Sequence, residues 1–249
     1  MEDMTYFLEI YGGVPRAGPG SHQCTRRAYK LMSEVPEAPH ILDIGCGPGA
    51  QTVDLLNISG GSVLALDFLP LMIERTKARA EIANVSDRLE VLEQDMKQMA
   101  FSPASFDIIW SEGAIYNLGF KKGLEKIKRF VKPNGYVAVS EAIWLQPNPP
   151  ASLIEFWRQY PEIDSIENKL TVIDRLGYQL VGHFILPESA WTADYYDPME
   201  NLVAEKAKVW AGIPEALEVL DEVRREIEIF RKYSGYFGYA FFVMRTPVT

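Results

Sequence analysis

Hydrophobic and polar residues change rhythm repeatedly along the chain. At His40-Ile-Leu-Asp-Ile44 a short apolar run leads straight into glycines, which predicts a buried strand ending in a tight turn. Runs of the same kind recur at Ser62-Val-Leu-Ala-Leu66, Leu89-Glu-Val-Leu-Glu93, Phe106-Asp-Ile-Ile-Trp110 and Tyr136-Val-Ala-Val-Ser140. The segments between them, residues 50–58, 70–84 and 119–131, read as helices. Pro70 suits a first helical turn, and Pro133-Asn-Gly135 punctuates the approach to the fifth strand. Upstream, the Gly and Pro content of residues 12–20 forces a loop, and residues 21–34 read as a helix with Ser21 as N-cap. Strand and helix alternating at this spacing predict parallel βαβ units, and near-continuous apolar strands predict a sheet covered on both faces. The expected fold is α/β: a doubly wound, mostly parallel seven-stranded sheet whose ligands sit at the carboxyl ends of the strands.

The C-terminal part follows another pattern. Residues 165–176 read as a helix, 178–186 as a sixth strand, 194–210 and 214–232 as helices, and 236–245 as the last strand. In the longer helix Ala216, Val219, Leu220, Val223, Ile227 and Phe230 recur at spacings of three and four, one apolar stripe that must dock on something apolar. The chain therefore reads as a single domain over 1–249, with residues 1–35 as a loop-and-helix cover and 187–233 as a helical insertion before the last strand.

Composition narrows the possibilities. The 249 residues carry 25 Lys plus Arg against 34 Asp plus Glu, a formal charge of −9, which disfavours holding a long nucleic acid. With 12 Phe, 12 Tyr and 5 Trp the chain can bury enough surface to fold. No apolar run approaches the ~20 residues of a membrane span, and the first residues lack the pattern of a signal peptide. Two cysteines, Cys24 and Cys46, exclude a disulfide scaffold, and cytoplasm is the expected compartment. His22, His40 and His183 lie far apart without ligand spacing, so no metal site is expected.

The chemistry centres on Asp43-Ile-Gly-Cys-Gly-Pro-Gly49. A strand ends, glycines let the backbone approach a ligand, and a helix N-terminus follows that favours an anionic group. Gly45, Gly47 and Ala50 formally satisfy a dinucleotide fingerprint; Asp43, Gly45, Gly47 and Gly49 satisfy an acid-led glycine motif. Asp43 would repel a pyrophosphate but attract an ammonium or sulfonium. Asp67, ending the second strand, can accept from both ribose hydroxyls, and Asp95, after the third, can accept from an adenine amine.

As an ordered set these segments resemble the class I S-adenosylmethionine (SAM)-dependent methyltransferases, in the small-molecule branch that includes quinone-biosynthesis enzymes (the "type 11" group). The resemblance runs densely over residues 40–145, through Ile41-Leu-Asp-Ile-Gly-Cys-Gly-Pro-Gly-Ala-Gln-Thr52, Ala65-Leu-Asp67, Gln94-Asp95-Met96, Phe106-Asp-Ile-Ile-Trp110 and Val131-Lys-Pro-Asn-Gly135, where one Asn replaces a family Gly. It implies a Rossmann-like methyltransferase fold that binds SAM and releases S-adenosylhomocysteine (SAH). It also implies roles: Asp43 orients the amino group, Gly45 and Gly47 line the methionine moiety, Asp67 holds the ribose and Phe68 packs on the adenine. Asp95 and the Met96 amide would read the adenine edge, and Ser111 would offer its carbonyl to the amino group.

Methyl transfer is an in-line displacement that asks mainly for alignment and exclusion of water. After the fourth strand stands Ser111-Glu-Gly-Ala-Ile-Tyr-Asn117, without the Asp/Asn-Pro-Pro-Tyr/Phe of relatives that methylate exocyclic amines of nucleobases. Glu112 is a candidate base, Tyr116 a candidate hydrogen-bond donor, and His183 in the sixth strand a candidate neutral base. Glu141 and Trp144 close the fifth strand at the same rim, and Trp191, Tyr195 and Tyr196 can cage a ring or a methylated amine. Arg16, on the glycine loop, can clamp the SAM carboxylate. The expected reaction is methyl transfer to a small-molecule acceptor, by a monomer or homodimer. The alternatives are a SAM-binding protein without catalysis and an aminopropyltransferase on the same fold; a dehydrogenase lacks its Tyr-x-x-x-Lys.

Overall fold

The five apolar runs form five parallel strands in the computed structural model, which describes residues 2–247. They are β1 (His40–Ile44), β2 (Ser62–Asp67), β3 (Leu89–Glu93), β4 (Phe106–Glu112) and β5 (Val131–Trp144). Helices α1 (Glu2–Tyr11) and α2 (His22–Lys30) precede them, and α3 (Ala50–Ser59), α4 (Pro70–Ile82) and α5 (Phe120–Lys128) connect them. After β5 come α6 (Ala151–Phe156), β6 (Asp164–Ser165), α7 (Ile166–Arg175) and β7 (Gln179–Ile185). The chain ends with α8 (Ser189–Trp191), α9 (Asp197–Val209), α10 (Pro214–Tyr233) and β8 (Phe237–Arg245).

Among the described residues the sheet has eight strands, in the order β3-β2-β1-β4-β5-β8-β7, with β6 beside the end of β5. The eighth strand is the difference from expectation: Asp164 and Ser165 pair with Ile143 and Trp144, too short a stretch to leave a period in the sequence. β8 runs antiparallel to both β5 and β7. Alternate residues of each strand face opposite layers. Leu42, Ile44, Leu64 and Ile109 join the α5 and α7 side with Leu124, Ile127 and Ile173. Ile41, Val63, Ala65 and Trp110 join the α2, α3 and α4 side with Ala28, Leu56 and Ile73.

Three local readings shift. The helix expected to start at Ser21 does so, Ser21 capping the Cys24 amide, but it stops at Lys30. The Lys-Pro-Asn-Gly turn lies inside β5, where the register slips between the Phe106–Val131 and Ile108–Tyr136 pairs. The Asp107 carboxylate ties that excursion down by accepting from Lys132 Nζ at 3.0 Å and from the His40 amide at 2.9 Å. Helix α1 was not expected; it packs on α9 and α10.

A third apolar cluster joins Ile10, Val14, Ala142, Trp191 and Phe237 to Ala216, Leu220, Val223, Ile227 and Phe230 of the α10 stripe. All six stripe residues are buried, and Trp191 stacks on Phe230 with ring centroids 4.7 Å apart. Leu220, fully buried in this cluster, should cost about 2–5 kcal/mol when replaced by Ala, read as a lower midpoint in urea denaturation.

Candidate active site

The strand order reverses between β1 and β4, which opens a crevice at their carboxyl ends. The glycine loop fills the β1 side. Gly45, Gly47 and Gly49 all take positive φ (71°, 52° and 83°), and a Cβ on Gly45 would lie 2.4 Å from the Ala114 Cβ. That turn lays the backbone along a cleft lined by Gly45, Gly47, Asp67, Phe68, Met96 and Glu112, among others.

Asp67 accepts from the Gly47 amide at 3.0 Å and the Leu69 amide at 3.1 Å, so its carboxylate is held at the end of β2 facing the cleft. Phe68 is 59% exposed on the cleft wall, an aromatic face with room for a planar ring. Met96 lines the same wall, and Gln94 brings to it a buried Oε1 without a partner among the described residues. Asp95 is half-buried beside them and caps the next turn through the Lys97 amide at 2.8 Å.

Asp43 lies fully buried beneath the loop. One carboxylate oxygen accepts from the Thr52 hydroxyl at 2.6 Å, and the other has no partner among the described residues. Burial pushes its carboxyl up to about 7, against the lowering effect of the Thr52 bond. An orphaned acid under the loop, a ribose-height carboxylate, an open aromatic face and an unpaired amide oxygen together fit SAM. Ser111 is buried below the cleft, its Oγ donating to the Ile44 carbonyl at 2.9 Å, and does not line it.

The structure changes the role of two expected site residues. Arg16 and Glu112 both line the cleft, but they are bonded to each other at 3.0 Å. Arg16 also reaches Asp54 at 2.9 Å, and Glu112 also accepts from the Thr25 hydroxyl at 2.7 Å and the Trp110 ring nitrogen at 2.9 Å. Both Glu112 oxygens are therefore engaged, which corrects its reading as a free base: it anchors the loop. His183 is displaced altogether. It sits exposed in β7, the sheet's edge strand, and lines neither this cleft nor the cavity beside it. The alternation of β7 turns Phe184 inward and His183 out.

That cavity, of about 740 Å³, opens next to the cleft and shares Phe7, Tyr11, Ala17, Gly18, Pro19 and Gly113 with it. The expected acceptor residues Tyr116, Trp191, Tyr195 and Tyr196 line it; Trp144 does not, being packed edge-on to Trp157 behind the wall. Two further groups complete the wall, one centred on Glu226, which the sequence concealed, and one on Glu141, which it placed at this rim. Glu226 accepts from the hydroxyls of Tyr11, Tyr195 and Tyr196 at 2.7, 2.8 and 3.0 Å. Glu141, buried in the same wall, stands 3.7 Å from the buried Lys169 ammonium. Both sets join residues far apart in the chain, and their only sequence signal was the clustered tyrosines and the carboxylate ending a strand. Among the described residues, no three His, Cys, Asp or Glu side chains group as metal ligands, and no helix is long and apolar enough to cross a membrane.

Comparison with known proteins gives the same answer. Residues 41–135 match the family model described as "Methyltransferase domain". Those residues carry a methyltransferase domain, and the comparisons support methyltransferase activity for the chain. Over 258 aligned residues it is 24% identical to the uncharacterized methyltransferase YodH of Bacillus subtilis (strain 168), covering 96% of this chain and 99% of that protein. It is 25% identical to the 27-O-demethylrifamycin SV methyltransferase of Amycolatopsis mediterranei (strain S699), over 90% of this chain and 84% of that protein. Its fold matches a SAM-dependent methyltransferase from Geobacter sulfurreducens in complex with SAH, with a TM-score of 0.85 and 19% identity, covering 96% and 97% of the two chains. The SAH bound in that neighbour is consistent with SAM as the cofactor that the cleft fits.

Two measurements test the cofactor site. Asp67→Ala should weaken SAH binding by about 1.5–3 kcal/mol, the worth of a hydrogen bond to a charged group, in calorimetry. Asp43 titrates at about 7 in the fold against an ordinary 3.8. Its stabilising contribution is therefore full below about pH 4 and lost as pH rises through about 7. Asp43→Asn stays neutral throughout, so between pH 4 and 8 the unliganded variant's melting temperature should fall less than the wild type's.

Proposed function

We propose that this methyltransferase modifies a small molecule enclosed in the aromatic cavity, with the insertion 187–233 as its cover and the N-terminal segment as its second wall. The observation that carries this is the junction of the two hollows at Gly113 and the Ala17-Gly-Pro19 loop. A cavity of about 740 Å³ has the size of a small-molecule site. The rifamycin-modifying relative supports a small acceptor by analogy.

Bound SAM supplies an electrophilic methyl on a sulfonium with a neutral leaving group. This chain's residues do the rest. Asp43 and Asp67 fix the cofactor from beneath the loop and from the end of β2, and Phe68 and Met96 hold its base. Tyr116, Trp191, Tyr195 and Tyr196 orient the acceptor, and the Arg16 anchor keeps the loop closed against water. Alignment and dryness are what such a displacement most needs. We assign the enzyme to the cytoplasm, where Cys24 and Cys46, both buried and free, stay reduced, and to a nucleic-acid-free monomer or homodimer.

Ala142 is 2% exposed and lines the acceptor cavity only. Ala142→Leu should lower SAH release with a cell-metabolite acceptor pool at least tenfold, about 1.4 kcal/mol of transition-state binding, with SAH affinity unchanged. Wild-type turnover in that variant would refute the acceptor assignment.

A further inference from the structure

We propose, resting on the methyl-transfer reading above, that the acceptor atom is the oxygen of a neutral hydroxyl and that the Tyr11 hydroxyl receives its proton at the junction of the two hollows. A methyl can pass from cofactor to acceptor only where the hollows meet. Among the described residues that line both, Tyr11 alone carries a polar side chain; the others are Phe7, Ala17, Gly18, Pro19 and Gly113. The Tyr11 ring stacks on that of Phe7 with centroids 4.1 Å apart. Its hydroxyl donates to Glu226 Oε2 at 2.7 Å, and Glu226 lines the acceptor cavity but not the cofactor cleft. The ring therefore bridges the hollows, with its hydroxyl on the acceptor side. Tyr11 and Glu226 are both half-buried rather than sealed off. The charged pair Arg16 and Glu112 lines the cofactor cleft only and is closed on itself.

Glu226 decides what that hydroxyl can do. A phenol offers one proton and two lone pairs, and the proton of Tyr11 is committed to the carboxylate. Burial and the Glu226 charge raise the Tyr11 phenol above its ordinary value, so at rest the proton stays on Tyr11 and only its lone pairs are free. Tyr195 and Tyr196 commit their protons to the same carboxylate, at 2.8 and 3.0 Å. Toward a ligand, these three phenols accept hydrogen bonds and donate none. An acceptor carboxylate or phosphate meets lone pairs backed by a negative charge, and a carbon nucleophile leaves them unpaired. A hydroxyl donates to Tyr11 Oη and brings its own lone pair to the junction.

The same line of bonds disposes of the proton. As the hydroxyl oxygen uses a lone pair to bond the methyl carbon, the carbon–sulfur bond breaks and its electron pair passes to sulfur. The oxygen turns positive and its proton strongly acidic. That O–H bond breaks with its pair left on oxygen; the proton goes to Tyr11 Oη while the proton Tyr11 held crosses to Glu226 Oε2. The products are a methyl ether, SAH and a protonated Glu226. So acidic a donor needs no strong base, and a carboxylate held by three hydroxyls suffices. Unlike the guanidinium on Glu112, a phenol can hand its proton over. Glu226 lies one turn from Glu222, which is exposed at the cavity mouth, and returns the proton to water there. A neutral amine gains nothing comparable, because its ammonium product keeps the proton.

Turnover of the full chain with a cell-metabolite acceptor pool, using SAM with an isotope-labelled methyl, should give a product whose label sits on oxygen by NMR. In calorimetry on the SAH-saturated chain, 4-ethylphenol should bind at least tenfold more tightly than 4-ethylanisole, its methyl ether, which cannot donate. Tyr11→Phe keeps the ring on Phe7. It should lower SAH release at least tenfold and cut the phenol's advantage below threefold, with affinities for SAH and 4-ethylanisole near wild type. A label on nitrogen, carbon or sulfur overturns the hydroxyl assignment and leaves the methyl-transfer reading standing. So does a phenol that binds less than tenfold better than the anisole or not at all, or a Tyr11→Phe chain that releases SAH at the wild-type rate or weakens both probes alike. Release of SAH from no pool overturns the methyl-transfer reading and this one with it. Should Tyr11→Phe not fold, the position of the label and the wild-type probe pair decide.

Discussion

The ion pair between Arg16 and Glu112 governs how the two hollows of this enzyme are built. Both side chains are nearly inaccessible, and Asp54 closes the guanidinium from the other side. A charge taken out of water is tolerable only when its partners are in place, so this contact fixes three segments at once: the loop of residues 12–20, the end of β4 and the first half of α3. The loop is held further by its backbone, with the Arg16 amide on the Asp194 carbonyl and the Gly20 amide on that of Ala190. Ala17, Gly18 and Pro19, which follow the anchor, therefore form a wall common to both hollows. The same contact removes Glu112 from proton chemistry: a carboxylate with both oxygens bonded to fixed donors holds a loop better than it takes a proton.

Division of labour between buried carboxylates follows from what each can reach. Asp43 lies under the glycine loop, with Thr52 on one oxygen and nothing on the other. Glu141 has the same half-satisfied character, but in the wall of the acceptor cavity. Burial raises both, and Glu141 is offset by the buried Lys169 ammonium 3.7 Å away. Glu226 is different: three tyrosine hydroxyls saturate it, so it serves as a fixed negative pole and a tie between α1, the turn after α8, and α10.

How much of this was legible in the sequence depends on the range of the interactions. Strands β1 to β4 could be read because a covered parallel strand is a short apolar run, and Asp67 and Phe68 because they follow such a run directly. Helix α1 escaped because its apolar residues face α9 and α10 rather than the sheet, and β6 because two residues show no period. His183 was misplaced because a histidine in a strand has two possible faces, and at an edge strand the alternation alone does not say which is covered. The acceptor wall was least legible. Its defining contacts, Tyr11 to Glu226 and Glu141 to Lys169, join elements 215 and 28 residues apart, and no local pattern encodes them. The clustered tyrosines hinted at the wall, but its charge came only with the fold.

The turn that follows α8 shows how local backbone form creates that wall. In an α-helix consecutive side chains diverge by about 100°. Residues Thr192–Tyr196 instead form a π-helical turn, a wider coil found mostly as single turns, often at functional sites. There the rings of Tyr195 and Tyr196 lie 4.6 Å apart and tilted by 32°, and both hydroxyls donate to the same Glu226 oxygen. The carbonyl of Asp194 in this turn accepts from the Arg16 amide. One irregular turn thus links the anchor of the loop to the negative pole of the cavity.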